Sequence, residues 1–395
     1  MSEKLLGDFD EVSREDWQQK ITADLKGKPY DTLFWESEGI KGGPVYTQED
    51  LESIENLAAL QNNSISDQPE IYGARNWVNY QLITVENESK ANQLALEALN
   101  LGAEGLTFLL TKPVSLGTLL DKIQLEHCAV AFEIVYEAPS FINEYFDYIQ
   151  KKNYPLEKVN GFINTTQLEF EKSLNTIGQI QNLRCLNIKL PNQFEAVNTV
   201  QELALLLHRA TSQILASQQS GMSLNKILNT SQFQVRIGKN YFIEIAKLRA
   251  LRLLVQAMWK GFDINTDPSH VMIFSSSNNW EFPVDDKHNY LLEATTNAMA
   301  AILGGCNALL IRPFNKTFEN QPALALRNAR NISSILKEES YLAKVTDASA
   351  GSYYIESVTN QLIDKAWSLF LKIEKASANE AINISILNHL TAEND

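Results

Sequence analysis

The chain is poor in the residues that staple or metallate small proteins. Of 395 residues only three are cysteines, Cys128, Cys185 and Cys306, odd in number, widely spaced and without a CxxC pair. That excludes a disulfide framework or a thiolate zinc site, and the three read as buried free thiols in a reducing cytoplasm. Histidine is scarcer than its uses: five residues, His127, His208, His270, His288 and His389, none three or four positions from another histidine or a cysteine. Ligand spacing for a metal is therefore absent. No window of 18 apolar residues exists, which rules out a membrane-spanning helix. Basic residues are outnumbered, 34 Lys and Arg against 48 Asp and Glu, a net charge of −14. Such a chain repels phosphate backbones, so a nucleic-acid partner is not expected. The opening MSEKLLGDFDEVSREDW is acidic, unlike a secretory or transit peptide.

What the chain does have is core and rhythm. It is 44% hydrophobic and 21% charged, as globular proteins are. Apolar, β-branched runs recur at 77–84, 105–110, 129–136, 159–163, 184–190, 233–238, 270–275 and 307–312. Helical periodicity separates them: Lys90–Leu101, Gly117–Leu125, Phe141–Lys151, Thr166–Ile180, Phe194–Gln218, Tyr241–Lys260, His288–Leu303 and Pro322–Lys337. Strand then helix, eight times, predicts an α/β fold, a (β/α)8 TIM barrel over residues 77–337. The fourth strand is weak, and a doubly wound sheet would alternate similarly. Residues 1–76 predict a helix from Asp16 to Leu25 and an extended arm broken by Gly and Pro. Residues 338–395 predict a tail, with SAGSYYIE as turn and strand and a helix from Ser357 to about Ala378.

Candidate chemistry is thin. SSSNN (Ser275–Asn279) follows the seventh strand, at the rim where barrel enzymes keep their sites, and serves either as a solvated loop or as a ligand contact. Glu133 and Glu137 could form an acid/base pair, although their spacing does not require it. GGC (Gly304–Cys306) reads as a helix-to-strand turn, having no phosphate-loop spacing. DKHNYL (Asp286–Leu291) looks like the Asp-x-His-x-x-Gly loop that places a histidine below cobalt, but Leu291 stands where glycine is needed. Asp285 and Asp286 at a helix N-terminus are the simpler reading.

The stretch NYFIEIAKLRALRLLVQAMW (240–259) is unusual in carrying two apolar faces. At 100° per residue Phe242, Ile243, Ala246, Ala250, Leu253 and Leu254 form one broad face, expected to pack on the strands. Tyr241, Leu248, Val255 and Trp259 lie nearly opposite and are expected to meet something outside the barrel, the tail helix or a partner chain. Arg249 and Arg252 occupy a polar seam between them.

This stretch resembles the signature helix of the methylmalonyl-CoA mutase family: an aromatic pair, then Glu, Ala-Lys, Arg-Ala and Arg. TDASAGSYYIE (346–356) is similar to the family's Asp-x-x-x-Gly-Ser-Tyr-Tyr-x-Glu segment after the barrel. NNWEFPVDDKHNYLLEATTNAMAAILGG (278–305) resembles its Trp, Asp and Asn before a helix with Ala-x-Ala-Ala, and GIKGGPVYTQEDL resembles its N-terminal arm. The resemblance runs from about residue 35 to 370. It implies a barrel enclosing an acyl-CoA, closed by a cobalamin domain, for a radical carbon-skeleton rearrangement.

Set against the family pattern, this sequence departs where the chemistry sits. The family's Tyr-His pair after strand five, whose histidine donates a hydrogen bond to the thioester carbonyl, falls on Leu190 and Pro191. Its Thr-Gln-Gly near the adenosyl group becomes Ile302, Leu303 and Gly304, and its His-Thr-Asn after strand eight becomes Leu310, Ile311 and Arg312. No flavodoxin-like cobalamin-binding domain is expected in the sequence. Together these imply a filled barrel with no catalytic residues, binding neither cofactor nor metal, that acts as the small subunit of a heterodimer. Its expected partner is the large catalytic subunit, which carries adenosylcobalamin. The alternative is an active acyl-CoA mutase core borrowing a separate cobalamin-binding subunit.

Overall fold

A computed structural model describes residues 12–61, 74–164, 170, 172–194, 197–277, 289–314, 322–377 and 382–392. The arm begins with helix α1 (Arg14–Asp24), started by a reciprocal cap in which Ser13 and Asp16 bond each other's backbone. A hairpin of β1 (Trp35–Ser37) and β2 (Ile40–Gly42) follows, where only an extended run was expected. Its two turn residues, Glu38 and Gly39, both have positive φ (57° and 79°), as the tightest hairpin turn requires. Short helices α2 (Gln48–Glu52) and α3 (Leu57–Gln61) complete the arm.

The barrel strands are β3 (Val78–Thr84), β4 (Gly105–Leu110), β5 (Ala129–Ile134), β6 (Asn160–Asn164), β7 (Asn182–Arg184), β8 (Leu186–Ile188), β9 (Ser231–Ile237), β10 (Ile273–Ser277) and β11 (Ala308–Leu310). All pair in parallel, in the order β7-β6-β5-β4-β3-β11-β10-β9-β8. The two ends of that order, β7 and β8, are halves of one stretch interrupted at Cys185. The lower half pairs with β6 and the upper half with β9, so the sheet closes into the expected eight-membered (β/α)8 barrel. Cys185 N–H donates instead to Thr230 O (3.1 Å), and the seam is spanned by Asn187 Nδ2 donating to Ile163 O (2.7 Å). The weak fourth strand has a steric origin. Gly161 takes φ +145°, and a Cβ there would lie 1.8 Å from Val130 O, so a residue with no strand propensity is obligatory.

Between strands run α4 (Glu88–Asn100), α5 (Leu116–Leu119), α6 (Phe141–Lys151), α7 (Thr199–Gln219), α8 (Leu224–Thr230), α9 (Tyr241–Gly261), α10 (Asn289–Gly304) and α11 (Pro322–Glu338). Helix α5 is shorter than the expected Gly117–Leu125, because Asn92 Nδ2 donates to Leu119 O and Asp121 O (2.9 and 2.8 Å), fixing those carbonyls in a turn. The expected helix at Thr166–Ile180 lies partly outside the described residues, and 173–179 form turns.

The tail differs from expectation. Helix α12 spans Tyr353–Ser377, so YYIE is its first turn and not a strand. Aromatic and β-branched residues suggested extension, but Asp347 accepts from the N–H groups of Ser349 and Ala350, and Glu356 from that of Gly351, which fixes the entry to the helix. A last helix, α13 (Ile384–Ala392), follows. Helix α12 lies along α9 and α7, outside the barrel.

That placement corrects the reading of α9. Leu248, Val255 and Trp259 are buried within this chain and Tyr241 is half-buried, so the strip Tyr241, Leu248, Val255 and Trp259 is not a surface open to a partner. A Cβ on Gly304 would lie 2.9 Å from Leu248 Cβ, which puts the strip against α10. The opposite face turns outward to arm and tail: Leu253 joins Leu51, Ile54, Leu60 and Ile363, and Phe242 is 49% exposed. Hydrophobicity gave both faces. It could not say which one met the barrel, because α9 is buried along most of both faces.

Candidate functional site: the mouth of the barrel

Side chains alternate in and out along each strand, so the inward ones can be followed from the barrel's middle to its C-terminal mouth. The middle is full. Tyr80, Phe162 and Phe274 meet there with ring centroids 4.8 to 5.8 Å apart, packed with Ala129, Ala131, Ala308 and Leu310. Above this plug lies a lattice of amides. Gln234 and Asn164 exchange two hydrogen bonds of 3.0 Å, and Asn187 Oδ1 accepts from Gln232 and Gln234 at 3.1 Å. These groups satisfy one another and offer no proton near neutral pH.

Over the lattice opens a cavity of about 710 Å³, large enough for a small metabolite. Its walls are electrically two-sided. On one side Lys247 of α9 is buried between Glu202 and Glu244 (3.0 and 2.7 Å), and also donates to Arg236 O at 2.9 Å. Burial alone would lower its pKa, but the two carboxylates override it and hold it above the ordinary lysine value. Burial raises the pKa of Glu244, with Lys247 opposing. Gly238 lies close beside them: a Cβ there would stand 2.8 Å from Glu244 Oε1. On the other side, Lys189, Arg209, Arg236 and Arg312 converge with Glu133. Lys189 reaches solvent at the rim, yet its pKa is lowered, first by lost hydration and then by the three guanidinium groups, with Glu133 opposing.

Leu190 and Pro191 line this cavity, so the two positions matched to the Tyr-His pair do stand at the mouth, without a side-chain donor. Ile302 is buried in the core and Leu303 half-buried, away from the mouth; Gly304 serves helix packing and Gly305, at φ 105°, the turn. Cys306 is fully buried, and its thiol is pushed up to about 11 by burial. Ser276 faces the cavity, Ser277 accepts from Arg312 N–H (2.8 Å), and Ser275 is buried. Asn278, Asn279, Asp285, Asp286 and His288 lie outside the described residues. Glu133 lines the mouth, while Glu137 is exposed and does not line it. Among the described residues no group of three or more His, Cys, Asp or Glu could hold a metal, and no helix is long and apolar enough to cross a membrane. Of the cations, Lys189, Arg209 and Arg236 were missed by sequence reasoning. The inward alternation Gln232, Gln234, Arg236 in QFQVRIG was the available signal.

Fold and mouth together define an α/β barrel with a plugged axis and a polar, charged opening. The methylmalonyl-CoA mutase family pattern matches residues 191–392. Over 95% of this chain, 32% of residues are identical to the methylmalonyl-CoA mutase small subunit of Porphyromonas gingivalis, of which the match covers 65%. The methylmalonyl-CoA mutases of Cereibacter sphaeroides and Homo sapiens are 26% and 24% identical over 91% of this chain, and 58% and 55% of their own lengths. The chain belongs to the methylmalonyl-CoA mutase family, and spans less than two-thirds of these relatives. Dihydropteroate synthase of Coxiella burnetii overlays with a TM-score of 0.39 at 14% identity, over 66% of this chain and 94% of its own.

Proposed function

We propose that this chain is a non-catalytic small subunit of an adenosylcobalamin-dependent methylmalonyl-CoA mutase in the cytoplasm. In this reading it forms a heterodimer with a large chain that binds the cofactor and interconverts methylmalonyl-CoA and succinyl-CoA. The observation that carries the reading is the pairing of Leu190 and Pro191 at the mouth with the aromatic plug below them. A thioester at that mouth would meet no imidazole donor from positions 190 and 191, and an extended pantetheine could not pass Tyr80, Phe162 and Phe274 without moving them.

The residues present are a poor fit to adenosylcobalamin. Leu291 stands in the first helical turns of α10 where the cobalt-ligating loop needs glycine, and Ile302 is committed to the core. No step of the rearrangement is therefore assigned to this chain; its part is to support the large chain's geometry. The free thiols, with Cys185 and Cys306 buried, agree with a reducing compartment. Co-expression of a tagged form with the large chain tests this. The two are expected to co-purify with one adenosylcobalamin per pair. Failure to associate, or two cofactors per pair, would contradict the reading.

A further inference from the structure

The cations at the mouth are not explained by support of a partner. In a chain of net charge −14, four basic side chains from β9, from the segments after β8 and β11, and from α7 point to one side of one cavity. The carboxylates of the cavity are unevenly placed. Glu202 and Glu244 flank Lys247, and Glu38 accepts from Thr199 N–H and Oγ1 (3.0 Å each), which leaves Glu293 and Glu133, the latter being the acid that Lys189 feels. Arg209 Nε is shielded from water and has no acceptor among the described residues. The N-terminus of α9 opens on the same cavity: Lys239 and Asn240 line it, and Asn240 makes no side-chain cap, so the helix adds positive potential. The aromatic plug closes the far end, which limits any occupant to the mouth.

We infer that the barrel mouth binds a small organic molecule with two or more negative charges, phosphate or carboxylate, held by Lys189, Arg209, Arg236 and Arg312. The spread of the cations over several elements favours a dianion or larger over a single carboxylate. About 710 Å³ leaves room for an organic body against Leu190, Pro191 and Phe194.

The test is thermal unfolding of the purified chain, titrated with inorganic pyrophosphate in one arm and citrate in the other, at constant ionic strength. A saturable rise of several degrees is expected in at least one arm, and the better arm identifies phosphate or carboxylate chemistry. In Arg236→Gln/Arg312→Gln the half-saturating concentration should rise about tenfold or more. Should that variant not fold, Lys189→Gln, at an exposed position, should show a smaller rise in the same direction. No saturable shift in either arm would overturn the proposal, and so would an equal shift in the variants, which would place the anion elsewhere. Neither acyl-CoA nor a partner chain enters the test, so its failure is distinct from failure of the subunit reading.

Discussion

Arg249 in α9 holds Glu356 in α12: its Nη2 lies 3.1 and 3.0 Å from the two carboxylate oxygens, with both side chains buried. The same guanidinium pairs with Asp347 and donates to Leu60 O at 3.1 Å. One arginine thus ties barrel, arm and tail together, and it belongs to the stretch that resembles the family's signature helix.

Removing it should leave the buried Glu356 and the half-buried Asp347 without their cation. Arg249→Met is expected to cost about 3–5 kcal/mol, and Arg249→Met/Glu356→Gln less than the sum of the single changes. Denaturant unfolding of the four proteins measures the coupling. Strict additivity would contradict a shared lock.

The two faces of α9 should respond oppositely to substitution. Leu248→Ala opens space against Gly304 and should cost about 2–5 kcal/mol. Phe242→Ser, at a half-exposed side chain, should cost under about 1 kcal/mol. A large loss at Phe242 with none at Leu248 would restore the orientation expected from periodicity alone.

Glycine at 161 is required for space as well as backbone angle. Gly161→Ala forces Val130 O away and should lower stability by more than about 2 kcal/mol. Gly221→Ala shares a positive φ (94°) but meets nothing within 4 Å, so only its backbone strain, about 1 kcal/mol, should be seen. Equal losses at the two sites would remove the steric account of the weak strand.

Alkaline pH should destabilise the fold through its buried thiols. The Cys306 thiol is raised from an ordinary value near 9.0 to about 11 by burial. A raised folded pKa means the folded state keeps its proton longer than the unfolded state. The stabilising contribution is therefore whole below about pH 9 and is lost as pH climbs toward 11, on the order of 2 kcal/mol. The Cys306→Ala variant should show a shallower decline over that window in unfolding midpoints against pH. An unchanged slope would assign the effect to other groups, Cys128 among them.

The barrel was legible because parallel strands buried on both faces read as apolar runs, and all eight runs contain or overlap a strand. What stayed illegible turned on non-local facts. Leu248 and Phe242 are equally apolar, and only the lie of α10 against α9 decides that Leu248 is the one covered. Tyr353 and Tyr354 look strand-like, and only the cap formed by Asp347 and Glu356 makes them helical. At the mouth, Leu190 and Pro191 could be placed through the family resemblance, and both reached the cavity. Lys189, Arg209 and Arg236 come from separate elements, so nothing in their spacing foretold that they meet.

The most direct test of the subunit reading is succinyl-CoA formation from methylmalonyl-CoA in the presence of adenosylcobalamin, measured for this chain alone and for its complex with the large chain. The expected result is no turnover by the chain alone and turnover by the complex. Turnover by the isolated chain would contradict the assignment of the chemistry to its partner.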